Sequence, residues 1–409
     1  MTTSADITSE SRRLTSTGPL GPAAAIAGVA GLAVGVLFGL RDGWDVFFRS
    51  YLLNYTFVLS LALGALFFVL LQHITKAGWS VALRRLAELI AATLPLLAVL
   101  FLPLLIPVVR GMAGVYEWAD PHAAGHDTTG LLAHKQPYLN VPFFIARCVI
   151  YFLVWVLLAR HFLRQSVAQD ATGDPRHTLA MQWWSAPGLL LYGLTVTFFA
   201  IDALMSLNPH WFSTIWGVYF FSGCLVGFFA FLALVVCGVQ RSGRLARSIT
   251  VEHYHDLGKL AFAFVVFWAY IAFSQYMLIW YANIPEETVW YRPRQGDGWW
   301  VGVSLLLLAG HFVAPFLALL SRWPKRRKGT LAVAGVWLLA MHWLDLYYIV
   351  IPRPAGHDHA AAPLHVSDVA LFVGLGGLFL AALLRLLTRY PLIPERDPRL
   401  ADSLAFENI

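Results

Sequence analysis

The sequence predicts an all-α polytopic membrane protein with ten transmembrane helices. Three observations lead there. Hydrophobic residues are 58% of the chain and charged residues only 13%, whereas a soluble domain carries about a quarter charged residues. That leaves too little charge to cover a water-facing surface. Apolar runs of about 20 residues, the length that crosses a hydrocarbon core, recur ten times along the chain. The cations fall in alternate loops between these runs, the pattern that orients a membrane protein. The excess of positive charge, +6 overall, therefore reads as orientation and gives no reason to expect a nucleic-acid partner.

The runs cover residues 20–40, 47–72, 86–109, 139–162, 185–207, 213–239, 257–282, 299–320, 330–351 and 367–387, here called helices 1 to 10. Each must be helical, because lipid satisfies no backbone polar group, and no run has the alternating pattern of a barrel strand. Arg12 and Arg13 precede helix 1; Lys76, Arg84 and Arg85 follow helix 2; Arg160, Arg164 and Arg176 follow helix 4. Further clusters follow helices 6 and 8, the latter comprising Arg322, Lys325, Arg326, Arg327 and Lys328, and more cations close the chain. The opposite loops hold only Arg41, Arg49, Arg110, Lys135, Arg292, Arg294 and Arg353. Both termini are thereby expected on the cytoplasmic side. Ser11-Arg12-Arg13 reads as a basic start before the first span rather than as a twin-arginine export signal.

Helices 2–5 and 6–9 form two sets of four with the same starting side, which allows a parallel repeat. A local echo supports it. Asp202 stands seven residues before Pro209 at the outer end of helix 5, and Asp345 seven before Pro352 at the outer end of helix 9. The expected organisation is a tail (1–19), peripheral helix 1 (20–46), a first four-helix bundle (47–207), a second (208–352), peripheral helix 10 (353–388) and a tail (389–409).

Ionisable and amide groups at membrane depth are costly and mark candidate sites. His311, His342, Asp345 and Gln275 fall in the second set; Asn54, Arg147 and Asp202 in the first. His342 and Asp345 share a helix face at i, i+3. A His–Asp set exchanges protons near neutral pH. The competing reading makes Arg147–Asp202 a structural ion pair and the His–Asp set a satisfied hydrogen bond. Pro95, Pro103 and Pro107 kink helix 3, either to open a lateral pocket for a lipid-soluble ligand or only for packing. Cys148, Cys224 and Cys237 lie in apolar runs with no spacing for a metal site, an iron–sulfur cluster or covalent haem. His122, His126 and His134 in the long outer loop read as solvated residues rather than metal ligands. The outer loops, 111–138 and 283–298, are rich in Trp, Tyr and charge and suit an extracytoplasmic partner.

Arg49-Ser50-Tyr51-Leu52-Leu53-Asn54-Tyr55 opens helix 2, the run from Gly64 to His73 closes it, and Ala77-Gly78-Trp79-Ser80 with Arg84-Arg85 follows. On these residues and the ten-helix pattern the chain resembles the ActF type, quinone-binding subunit 2, of bacterial alternative complex III, within the NrfD/polysulfide-reductase-like membrane family. The resemblance covers nearly the whole chain. It implies a subunit of a respiratory or photosynthetic quinol:cytochrome c oxidoreductase in the bacterial cytoplasmic (inner) membrane, with membrane lipid around it and a homologous ten-helix sister subunit beside it. Multihaem cytochrome c and iron–sulfur subunits are implied on the extracytoplasmic side. Haem c and iron–sulfur clusters then reside in those partners. This chain holds no redox centre of its own, quinone or menaquinone is the ligand open to it, and its share of the work is electron transport support and proton translocation.

Three other readings compete. A secondary transporter with a proton-coupled intramembrane site is allowed by repeats and buried charge, but no pair of Gly-broken helices marks a substrate site. A haem-b protein ligated by His311 and His342 is geometrically open. A passive anchor would tolerate apolar replacement of every buried polar residue.

Overall fold

The computed structural model describes residues 12–127, 129–296, 298–352 and 364–408, without the side chains of Ala124 and His126. Ser11, the loop cation Arg353 and the His126 imidazole, all considered above, lie outside the described residues. Among those residues the chain is all-helical and carries ten helices long and apolar enough to cross a membrane: it is a multi-pass membrane protein.

Helices 1 to 10 span Leu20–Asp42, Trp44–Ile74, Val81–Val109, Val141–Thr172, Arg176–Leu207, Trp216–Arg241, Val251–Ala282, Trp299–Leu320, Lys328–Val350 and Val366–Arg389. Several extend past their apolar runs. Helix 3 starts at Val81 rather than 86, and helix 5 at Arg176 rather than 185. Hydropathy marks only the part in lipid, whereas polar turns beyond it keep their backbone hydrogen bonds in the helix. The ends are set by local chemistry. The Asn140 side chain accepts from Phe143 N–H at 3.0 Å and opens helix 4. Gly173, at φ +71°, closes it in the left-handed conformation.

Helix 3 is interrupted as its prolines demand: Leu94–Phe101, a tight turn at Leu102–Leu104, then Leu105–Val109. Helix 2 compensates. Tyr55 donates to Leu97 O at 2.9 Å and Tyr51 to Leu100 O at 2.8 Å, so carbonyls of the broken stretch are satisfied within the protein.

Helix 2 is the hub, with 83% of its apolar window buried; it packs against helices 1, 3, 5, 6, 9 and 10. Helices 4 and 5 pair, as do helices 6 and 7 and helices 6 and 9, and helix 8 lies against 7 and 9. Helix 1 runs along helix 10. Their closeness rests on glycine: a Cβ on Gly31 would stand 2.5 Å from both Ala370 O and Gly374 N.

The two chain ends meet at one end of the helices. Arg12 pairs with Glu395 at 2.7 Å, and Leu392 N–H donates to Arg12 O at 2.9 Å. Arg84 and Arg85, expected in the loop after helix 2, are buried in helix 3. Arg85 contacts Glu88 at 3.0 Å and Asp170 at 2.7 Å, and Arg84 pairs with Asp397 of the C-terminal tail. The cations leave water because carboxylates of three separate segments meet them.

Candidate functional site

The polar residues singled out in the sequence divide into two unlike groups. In the first set of helices, Arg147 on helix 4 reaches Asp202 on helix 5 with Nε at 2.8 Å and a terminal nitrogen at 3.0 Å. Its remaining nitrogen donates to Tyr138 O at 2.9 Å, and its plane lies 3.9 Å from the Tyr138 ring and 4.3 Å from Phe143. Tyr151 adds a hydroxyl to Asp202 at 2.6 Å. Both ions are fully engaged, in the bidentate geometry of a strong pair. This geometry is that of the structural reading.

Asn54 stands apart from that pair. Its amide donates to Ser50 O at 2.8 Å and to Asp368 O at 2.9 Å, and its oxygen accepts from Trp343 Nε1 at 2.8 Å. It ties helix 2 to helices 9 and 10. Gln275 ties helix 7 to two connections: its oxygen accepts from Ser213, between helices 5 and 6, at 2.8 Å, and its nitrogen donates to the hydroxyl of Tyr291, between helices 7 and 8, at 3.2 Å. The loop there is anchored by Arg294, which is 4% exposed and donates to Trp290, Tyr348 and Ile349 carbonyls while stacking 3.8 Å from the Trp290 ring.

The second group is a convergence of helices 6, 7, 8, 9 and 2 on His342 and Asp345. Asp345 accepts from the Tyr219 hydroxyl of helix 6 at one oxygen and from Trp268 Nε1 of helix 7 at the other, 3.0 Å away. Among the described residues no Lys or Arg pairs with it, unlike Asp202. The Trp268 ring also stacks on His311 of helix 8, with centroids 3.9 Å apart and planes 28° apart. One indole thus touches both the carboxylate and the imidazole.

Helix geometry presents each group. Residues 307–313 form a π-turn around His311, a distortion common at functional sites. Two features release the backbone there. Pro315 has no N–H to give the His311 carbonyl, and Trp337 Nε1 takes the Gly310 carbonyl at 2.7 Å. His342 faces helix 6 where Gly223 and Gly227 stand one turn apart. A Cβ on Gly227 would lie 2.7 Å from the His342 ring and one on Gly223 3.0 Å from it. Only glycine lets the imidazole sit there.

The proton positions follow from the partners. Ser60 Oγ contacts Phe57 O at 2.7 Å and His342 Nε2 at 2.8 Å. A hydroxyl has one proton. Given to the Phe57 carbonyl, it leaves Nε2 as the donor toward Ser60, and Nδ1 as a bare acceptor. Nδ1 has no hydrogen-bond partner among the described residues, and neither ring nitrogen of His311 has one. The space at Gly223 is bordered by both His342 Nδ1 and Asp345 Oδ2. Such a group can accept, hold and pass a proton between a carboxylate and two imidazoles.

Sequence reasoning found His311, His342 and Asp345 but missed Tyr219, Trp268 and Ser60, which look like ordinary core or interfacial residues. A signal was present: Gly223 and Gly227 have the small-xxx-small spacing of a close helix contact, and Tyr219 precedes them on the same face. Among the described residues no three of His, Cys, Asp and Glu are grouped to hold a metal ion. No protein-family model matches the chain, and no curated protein matches it.

Proposed function

We propose that the chain is an integral membrane subunit of a quinol:electron-acceptor oxidoreductase in a bacterial cytoplasmic membrane, and that its Asp345–His342–His311 group moves protons. In this reading helices 2–5 and 6–9 are two four-helix bundles flanked by helices 1 and 10, with both termini cytoplasmic. The packing of helices 2 to 5 and of 6 to 9 supports the bundles, and the meeting of both chain ends over the cation-rich loops supports the orientation. The electron-transfer assignment rests on the resemblance carried by residues 49–55, 64–73, 77–80 and 84–85. Redox groups belong to partner subunits, and quinone is the ligand in question.

The observation that carries the proton role is a buried aspartate with no counter-cation, beside imidazole nitrogens with no hydrogen-bond partner, among the described residues. Lipid-depth polar groups with nothing to satisfy them are costly, and a transferable proton gives them a use. Asp345 and His342 are three residues apart, about 4.5 Å along the helix. A proton passed between Asp345 Oδ2 and His342 Nδ1 would cross the Gly223 space that both atoms border. Tyr219 and Trp268 hold the carboxylate when it is ionised, and Ser60 fixes the imidazole tautomer.

Mass spectrometry of what copurifies with the chain in mild detergent tests the assignment. Multihaem cytochrome c and iron–sulfur subunits are expected. A chain that purifies alone, stable and monodisperse, removes the electron-transfer reading.

A further inference from the structure

Lysines near helix ends ordinarily turn their ammonium toward water while the stem lies in lipid. Lys325, in the short turn Arg322–Arg326 between helices 8 and 9, does the reverse. Its backbone and stem press on helix 7 at Gly258, where a Cβ would stand 2.7 Å from Lys325 Cγ. Its ammonium lies over the Phe262 ring, 5.3 Å from the centroid and one helical turn further from the chain-terminal end. Lys325 is 7% exposed. Its hydrogen bonding among the described residues is one long contact, 3.4 Å, to Leu320 O at the end of helix 8. An ammonium has three protons to donate.

The neighbouring cations are provided for. Arg326 lies bidentate on Glu252, Lys259 pairs with Asp256, and Lys328 donates to Gln240 at 2.5 Å. Among the described residues no carboxylate pairs with Lys325. Burial and the Lys259 ammonium push its amine below the ordinary lysine value, so a nearby anion would relieve it. The same turn exposes Arg322 and Trp323, the latter 63% exposed, and the adjoining face of helix 8 exposes Leu317 and Leu320. Cation, interfacial indole and apolar wall are the parts that hold a lipid headgroup and its chains.

We propose that the groove between helices 7 and 8 at the chain-terminal end binds one anionic phospholipid, its phosphate on Lys325 with Arg322 and Trp323 at the rim and its acyl chains along Leu317 and Leu320. This is independent of the electron-transfer reading. It differs from the general orienting role of loop cations, because it assigns one buried side chain to one lipid.

The test is native mass spectrometry of the full chain, delipidated in a neutral maltoside and titrated with phosphatidylglycerol or phosphatidylcholine. The wild type should retain phosphatidylglycerol at least about fivefold more readily, the increment of one cation near a membrane surface. Lys325→Arg should keep that preference and Lys325→Gln should remove it, with the lipid-free unfolding temperature alike in all three. Gly258→Ala, which displaces the stem, should lower it as well and serves if Lys325→Gln does not purify. Equal retention of both lipids by the wild type overturns the proposal, as does a preference that survives loss of the lysine charge. Displacement of phosphatidylglycerol by millimolar inorganic phosphate would show a free-anion site and overturn it too.

Discussion

Asp202→Asn is the perturbation that separates framework from working residues. In the native pair two charged hydrogen bonds, at 2.8 and 3.0 Å, join Asp202 to Arg147. The amide keeps one acceptor oxygen but turns an N–H₂ toward the guanidinium. A hydrogen bond to a charged group is worth about 1.5–3 kcal/mol, and breaking a buried pair costs about 3–5 kcal/mol because a charge is left uncompensated. The Tyr138 carbonyl and the rings of Tyr138 and Phe143 hold the cation in both forms and cancel from the difference. The loss should be about 3–5 kcal/mol. Removing both charges, Arg147→Met with Asp202→Leu, should recover most of it, short of the Tyr151 hydroxyl left without its acceptor. The assay is unfolding free energy in mixed micelles for the single and double variants, read as a cycle. Additive losses, with the double variant worse than either single, would refute the argument that the pair stabilises only itself.

Gly31→Val should separate helices 1 and 10, since its Cβ meets backbone atoms at 2.5 Å; a loss of at least about 1–3 kcal/mol is expected from overpacking, measured in the same micelles. Asp397→Asn leaves buried Arg84 with Glu88, 3.5 Å away, as its carboxylate among the described residues, so the C-terminal tail should become cleavable in limited proteolysis while the spans stay intact. In the loop between helices 3 and 4, Asp127 is held near a pKa of about 2 by the Thr129 hydroxyl and the Leu132 N–H. A depressed carboxylate contributes order that is full above its ordinary value, about 3.9, and is lost as pH falls through about 2. The protection of the Leu132 amide, its exchange rate relative to the intrinsic rate at the same pH, should therefore fall between pH 4 and 2, and Asp127→Asn should show the lowered protection already at neutral pH.

The ten spans were legible because apolar length alone identifies them. Their ends were not, because hydropathy is silent about polar turns such as 81–85 and 176–184 that remain helical outside lipid. Arg84 and Arg85 show the limit well. As cations they counted toward orientation, yet they are buried, and the carboxylates that permit this lie far away in sequence at Asp170 and Asp397. The Asp345 group was half legible. Charge at membrane depth exposed Asp345, His342 and His311, but the residues that finish the site are an indole, a phenol and a serine, types that apolar helices use everywhere. The Asp–proline echo drew both aspartates together and hid their difference. Arg147 neutralises one, while among the described residues the other has only Tyr219 and Trp268.

The proton role is tested most directly by Asp345→Asn in the assembled complex, with quinol oxidation and proton release followed together. The amide keeps an acceptor for Tyr219 and nearly the same volume, so assembly should survive. The account predicts that electron transfer to the acceptor continues while fewer protons are released per quinol oxidised. Oxidation and proton release both equal to those of the wild type would contradict it.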